Sequence, residues 1–207
     1  MSRWAPDAAG RLYAAALELF LERGFSETTV PQIAERAGLT TRSFFRYFAD
    51  KREVLFVGED ELPGVVEQIF AAADAAMTPM QVIDMGLRTV VFLRFEQYRD
   101  ELLRRRAVVL SDEGLQEREL RKHSILHKAA ASAFLRRGLN PMEANIAGRL
   151  AVIVYDTTLD LWLASEAAES LDAILSSVVH ALSRVAQPYS PELLTPTAME
   201  LSTQTRS

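Results

Sequence analysis

Arg42 and Arg46 stand four residues apart in the segment TTRSFFRYF, Thr40–Phe48, with Phe44, Phe45, Tyr47 and Phe48 set among them. A guanidinium is a planar fork of N–H donors that binds anions, and guanine edges and phosphates both present acceptors to such a fork. At about 100° of rotation per helical residue, Phe44 and Phe48 fall about 40° apart, and both arginines point roughly 180° away from them. Tyr47 lies about 60° to the other side of Phe44 with its hydroxyl at the rim, while Phe45 and Ser43 take the two flanks. The spacing predicts Phe44 and Phe48 in a core and two like charges in solvent, which gain by meeting an anion. Duplex DNA is such an anion. Arg42 and Arg46 would take guanine or phosphate, Thr40, Thr41 and Ser43 bases or phosphates, Phe45 a thymine methyl or sugar, and Tyr47 and Lys51 phosphates. A solvated basic face is the competing explanation for any such pair taken alone.

The neighbouring segments tip that balance. Leu12, Ala16, Leu19 and Phe20 form one apolar stripe on a helix expected over 7–23, with Gly24 as its left-handed cap before Phe25. Thr29-Val30-Pro31-Gln32 is a capping box with proline in the first turn, so a second helix runs to Arg36. Ala37-Gly38-Leu39 is long enough only for a tight turn, after which Thr40 caps the third helix. Two short helices about a glycine-containing turn form the helix-turn-helix layout. Asp50-Lys51-Arg52-Glu53 should cap a fourth helix, with Pro63-Gly64 as its kink or end.

The rest of the 207 residues repeats apolar positions at three and four, without alternating runs bounded by hairpin turns, so the fold class is all-α. Helices are expected over 79–97, 100–110, 115–136, 141–164 and 171–186, the first and fourth opened by Thr78-Pro79 and Asn140-Pro141. A content of 49% hydrophobic residues fills a substantial core, and the lack of cysteine excludes disulfides and thiolate metal sites. The net charge of -5 argues against indiscriminate coating of nucleic acid, yet residues 1–53 carry a net +1 on an acidic body. No stretch reaches the roughly 18 apolar residues of a membrane span, and no signal peptide is expected, so the expectation is a cytoplasmic protein.

The segment TTVPQIAERAGLTTRSFFRYFADKREVL, Thr28–Leu55, with AAALELFLERGF before it, resembles the TetR family of bacterial regulators. The resemblance covers about residues 8–56. It implies a three-helix DNA-binding domain, a larger helical domain for ligand binding and dimerisation, and repression relieved by a small molecule. The expected division is 1–54 for the head, 55–187 for the body, and a disordered tail over 188–207 rich in Pro, Ser and Thr. The family's DNA-contacting places fall on Thr29, Thr40, Thr41, Arg42, Ser43, Phe45, Arg46, Tyr47 and Lys51. Phe45 departs from a common tyrosine, losing a phosphate hydrogen bond. Arg42 departs from glycine or alanine and should add a contact.

In the body, Met80, Met85, Phe92, Phe95 and Tyr98, with Tyr155 and Trp162 facing them, are the candidate pocket for an apolar or amphipathic effector. Ile146, Leu150, Ile153 and Leu161 on one helix, and Leu171, Leu175, Val178 and Leu182 on the next, are candidates for the interface of a homodimer. Asp84 and Arg88, four apart, read as an exposed helix pair. His123 and His127 share that spacing but have no catalytic glutamate or third ligand, so no metal and no cofactor is expected. Nothing in the sequence supports an enzyme. The expected function is a ligand-responsive transcriptional regulator, a repressor on a palindromic operator. The rival reading is a helical sensor module acting through protein partners.

Overall fold

The computed structural model describes residues 8–58, 61–92, 95–165 and 169–186, all of them helical or in turns between helices. Helix α1 (Ala8–Arg23) buries Leu12, Ala16, Leu19 and Phe20 on one face. Gly24 closes it at φ +88, where a side chain would be strained, and donates its N–H to the Phe20 carbonyl at 2.9 Å. Thr28 is buried and donates its hydroxyl to the Gly24 and Leu19 carbonyls at 2.8 and 3.2 Å, folding the loop back onto the end of α1.

Helix α2 (Val30–Arg36) starts with Pro31 in its first turn, and Thr29 donates its backbone N–H and its hydroxyl to Gln32 Oε1 at 2.9 and 3.0 Å. Gly38 turns the chain at φ +64, and Arg11 of α1 donates to the Ala37 carbonyl beside it. Helix α3 (Thr41–Tyr47) follows, capped by the Thr40 hydroxyl accepting from the Ser43 N–H at 3.1 Å.

Past α3 the chain departs from expectation. Asp50 does cap a turn, Oδ1 accepting from the Arg52 and Glu53 N–H groups at 2.7 and 3.1 Å, but that turn is a short 3-10 segment, Glu53–Phe56. Val54, Leu55 and Phe56 are all buried, which leaves Glu53 alone partly exposed in the segment, and Gly58 at φ +83 follows it. Pro63 then opens helix α4 (Leu62–Ala72) instead of breaking an earlier one. Helix α5 (Pro79–Gly86) is shorter than the expected 79–97. It passes into a π-helical turn, Leu87–Val91, where the Thr89 hydroxyl donates to the Met85 carbonyl at 2.7 Å.

The remaining helices fall close to expectation: α6 (Arg99–Leu110), α7 (Glu113–Arg136), α8 (Pro141–Ala164) and α9 (Leu171–Val185). Their starts are capped by side chains of Asp112, Asn140 and Ser170 for α7, α8 and α9. The tail expected over 188–207 lies outside the described residues. The fold is all-α, with no strand among the described residues, and no helix among them is long and apolar enough to cross a membrane.

Two cores result. The first joins α1, α2, α3 and the 3-10 turn, and is completed by Val108 and Val109 of α6 and Leu115 of α7. The second is built from α5, the π turn and α7–α9, around Val82, Ile83, Phe134, Val154 and Trp162, with Ile69 and Phe70 of α4 packed against it. Gly148 lets α8 approach α7 closely, since a Cβ there would stand 2.9 Å from both the Ala131 nitrogen and the His127 carbonyl oxygen. Between the cores, Arg105 Nε donates to the Leu55 carbonyl at 2.8 Å and Arg118 pairs with Glu53 at 2.8 Å. Both guanidiniums also cover the Phe56 ring, at 5.0 and 4.7 Å from its centroid.

Candidate nucleic-acid interface and ligand cavity

Helix α3 is anchored by its rings. Phe44 is 0% exposed and Phe48 6%, their centroids 5.3 Å apart, both part of the first core. Arg42 and Arg46 are exposed on the opposite face, and Phe45 is 54% exposed with its ring edge-on to Phe44 at 5.5 Å. Tyr47 is 40% exposed; Arg46 donates to its hydroxyl at 2.6 Å and lies over its ring at 4.6 Å. Thr29 and Thr40 are exposed, Thr41 and Ser43 half-buried, and the Ser43 and Thr40 hydroxyls are 3.0 Å apart. Six of the nine expected DNA contacts are thus exposed, and Thr41 and Ser43 partly so.

Lys51 is the ninth, half-buried, and its ammonium is turned to the protein's own backbone. Its ammonium donates to the Phe25 and Thr28 carbonyls at 2.5 and 2.7 Å and lies over the Phe25 ring at 4.2 Å, while burial lowers its pKa. An ammonium has three donors, and with the Ser26 carbonyl at 3.4 Å all three reach carbonyls of the loop between α1 and α2. Arg36 fixes the same two helices from outside, pairing with Glu22 at 2.9 Å and Glu18 at 3.3 Å.

In the body, α4, α5, α7 and α8 line a cavity of about 260 Å³. Of the seven expected pocket residues, Phe95 and Tyr155 line it. Trp162 and Phe92 are instead buried in the core, Phe92 stacked on Tyr155 at 6.2 Å. Met80 packs against that core, Met85 meets Thr89, and Tyr98 is 51% exposed in a separate cleft between α1 and α6. The walls that sequence reasoning missed are Leu62, Ile69 and Phe70 of α4 and Leu126, Ala130 and Phe134 of α7. The helical spacing of Leu62, Val65, Val66, Ile69 and Phe70 was the available signal.

The expected dimer residues divide. Ile146, Ile153 and Leu161 are exposed along α8, with Met142 beyond them, and Leu150 and Leu182 are partly buried. Leu171, Leu175 and Val178 are not free to meet a partner: they are 1%, 0% and 5% exposed and pack into the second core. The α9 stripe is therefore intramolecular, the burial α9 needs to dock on α8. Arg88 does more than the expected helix pair, for besides Asp84 at 3.0 Å it reaches Asp172 and the Ser176 hydroxyl of α9. His123 lies 3.3 Å from Asp156 and His127 bonds Asn145 at 2.8 Å, and among the described residues no three His, Cys, Asp or Glu side chains cluster for a metal.

The head geometry defines a helix-turn-helix unit carried on a larger all-helical body. A family model described as "Bacterial regulatory proteins, tetR family" matches residues 12–56, the helix-turn-helix part of the chain. Among curated proteins, it is 38% identical over 84 residues to the HTH-type transcriptional regulator TcmR of Streptomyces glaucescens, covering 39% of this chain and 36% of TcmR. It is 30% identical over 98 residues to the HTH-type transcriptional repressor KstR2 of Mycobacterium tuberculosis, covering 45% of this chain and 47% of KstR2. These matches span less than half of either relative's length. Among solved structures, Thermus thermophilus FadR, a TetR-family repressor crystallised with lauroyl-CoA, superposes with a TM-score of 0.56. That superposition covers 88% of this chain and 96% of FadR at 24% identity, a likeness of fold.

Proposed function

We propose that this chain is a DNA-binding transcriptional regulator, a repressor that holds a palindromic operator through α3 and releases it when an apolar or amphipathic molecule fills the body cavity. One observation carries the reading. The guanidiniums of Arg42 and Arg46 and the Phe45 ring face outward, while Phe44 and Phe48 hold the same helix from behind. A recognition helix needs that division, because base edges can be read only by a helix that keeps one face open to solvent. The names of TcmR and KstR2 support the regulatory role, and the latter supports repression. The lauroyl-CoA complex of FadR supports an effector in the helical body.

Residues 1–54 serve as the head and 55–187 as the body, with α6 and α7 lending Val108, Val109 and Leu115 to the head core. Reading a palindrome takes two heads, and a C2 dimer sets two recognition helices about 34–36 Å apart or somewhat more. The exposed α8 stripe of Ile146, Ile153 and Leu161, with Leu150, and with Leu182 of α9, supports a dimer through this face. The effector acts by preferring a conformer whose heads miss the half-site spacing, and must prefer it by several kcal/mol to empty the operator. Work on DNA makes the cytoplasm its place of action.

A gel shift on the DNA flanking the protein's own gene tests the proposal. It predicts a saturable, sequence-selective complex at moderate salt. Only weak binding, equal on unrelated duplexes and lost as salt rises, would retire the regulator in favour of a module that works through protein partners.

A further inference from the structure

The walls of the body cavity define its ligand by chemistry, by size and by shape. Among the described residues fifteen line it: fourteen are Leu, Val, Ile, Ala or Phe, and the other is Tyr155, which carries the wall's hydroxyl. An ionised group pressed against hydrocarbon walls gives up its water for no counter-charge, so such walls select uncharged molecules. Tyr155 and Leu62 also line a second space, at the junction between body and head, where Arg105 and Lys122 stand with Glu101. Glu119 accepts from both of those cations, at 2.6 Å from Arg105, so the charges described at the junction are already matched.

Volume sets the size. A dry cavity of about 150 Å³ accommodates benzene, roughly 25 Å³ for each carbon, so the cavity of about 260 Å³ takes about ten or eleven non-hydrogen atoms. Rings set the shape. Four lining residues are aromatic and come from separate elements: Phe70 of α4, Phe95 of the turn before α6, Phe134 of α7 and Tyr155 of α8. Phe70 stands edge-on to Phe134, their centroids 4.8 Å apart and their planes at 78°, while Tyr155 is backed by the stacked Phe92 ring at 6.2 Å. Rings set at different angles offer an aromatic guest the edge and face contacts it prefers, whereas a saturated guest gains only buried area.

We propose that the effector is an uncharged aromatic molecule of about two fused rings, held among Phe70, Phe95, Phe134 and Tyr155. The assignment rests on the effector reading of the cavity given above, and narrows it to one class of ligand.

Calorimetric titration of the full chain at neutral pH with 2-naphthol, 2-naphthoate, trans-decahydro-2-naphthol and 1-hydroxypyrene tests the assignment. 2-Naphthol should bind saturably. 2-Naphthoate should bind about tenfold more weakly or worse, because its carboxylate would meet hydrocarbon. The decahydro compound keeps the frame and hydroxyl but lacks the π faces, and should be several-fold weaker. 1-Hydroxypyrene should be weaker than 2-naphthol despite its larger apolar surface, because it exceeds the volume. Ala151→Leu, which grows a cavity wall inward, should weaken 2-naphthol about tenfold or more with the circular dichroism unchanged. Should that variant fail to fold, Val65→Phe on the α4 wall decides. No binding of 2-naphthol, a naphthoate, saturated or four-ring analogue that binds as tightly, or affinity that survives the filled cavity would each overturn the proposal. The gel shift separates it from the regulator reading: a selective operator complex without 2-naphthol binding sinks the ligand alone, and 2-naphthol binding without a selective complex sinks the regulator alone.

Discussion

Glu119 shows what single residues contribute where head meets body. Burial works against its ionisation, but Arg105 and then Lys122 outweigh burial and hold its pKa at about 2. A carboxyl depressed in the folded state stabilises fully above the ordinary glutamate pKa of about 4.3, and that stability is lost as pH falls through the folded value. Thermal stability should therefore fall as the pH drops from about 4.3 to about 2, and Glu119→Gln should flatten that part of the profile. A wild-type midpoint that falls no faster than the variant's over this window would contradict the assignment. At this scale the sequence was legible where periodicity rules: the outward arginines and inward phenylalanines of α3 follow from rotation per residue alone. Lys51 was not, because its partners are backbone carbonyls of a loop whose path depends on Gly24 and the buried Thr28.

Elements were legible where caps mark them. Thr40 and Asn140 cap helices in the structure as their places in the sequence indicate, whereas Asp112 and Ser170, which cap α7 and α9, were not picked out there. The 3-10 turn at Glu53–Phe56 and the π turn at Leu87–Val91 were not legible, since both arise from tertiary burial and local back-bonding, which leave no periodic signature. Close approach of α7 and α8 was equally hidden, and yields a prediction that opposes helix propensity. Gly148→Ala should lower stability by about 1–3 kcal/mol through overpacking, although alanine favours helix over glycine by about 1 kcal/mol. The Cβ would press on backbone atoms of α7, which cannot swing aside as a side chain could. Chemical denaturation reads the outcome, and a variant as stable as the parent would show that the helices separate freely.

For the molecule as a whole, the sequence yielded the class of fold and the position of the head, but placed too much of α9 on the outside. An apolar stripe has the same pattern whether it meets its own chain or another, and Leu171, Leu175 and Val178 meet their own. The cavity was half hidden for a related reason: its walls come from four helices, and which faces converge depends on packing angles. What remains outside on α8 carries the dimer proposal. Ile146→Asp places a charge within the exposed stripe and should give a monomer by light scattering, with the fold intact by circular dichroism. Loss of bivalency should then weaken operator binding by about 10²-fold or more. A variant that stays dimeric would move the interface elsewhere.

The most direct test of the account is selection of bound sequences from a random duplex library by the full chain and by Arg42→Ala side by side. The account predicts a two-fold symmetric motif for the parent chain and, for the variant, the same motif with one or two base pairs per half-site relaxed. No enriched motif, or a motif that Arg42→Ala and Arg46→Ala both leave unchanged, would contradict the claim that the outward face of α3 reads DNA.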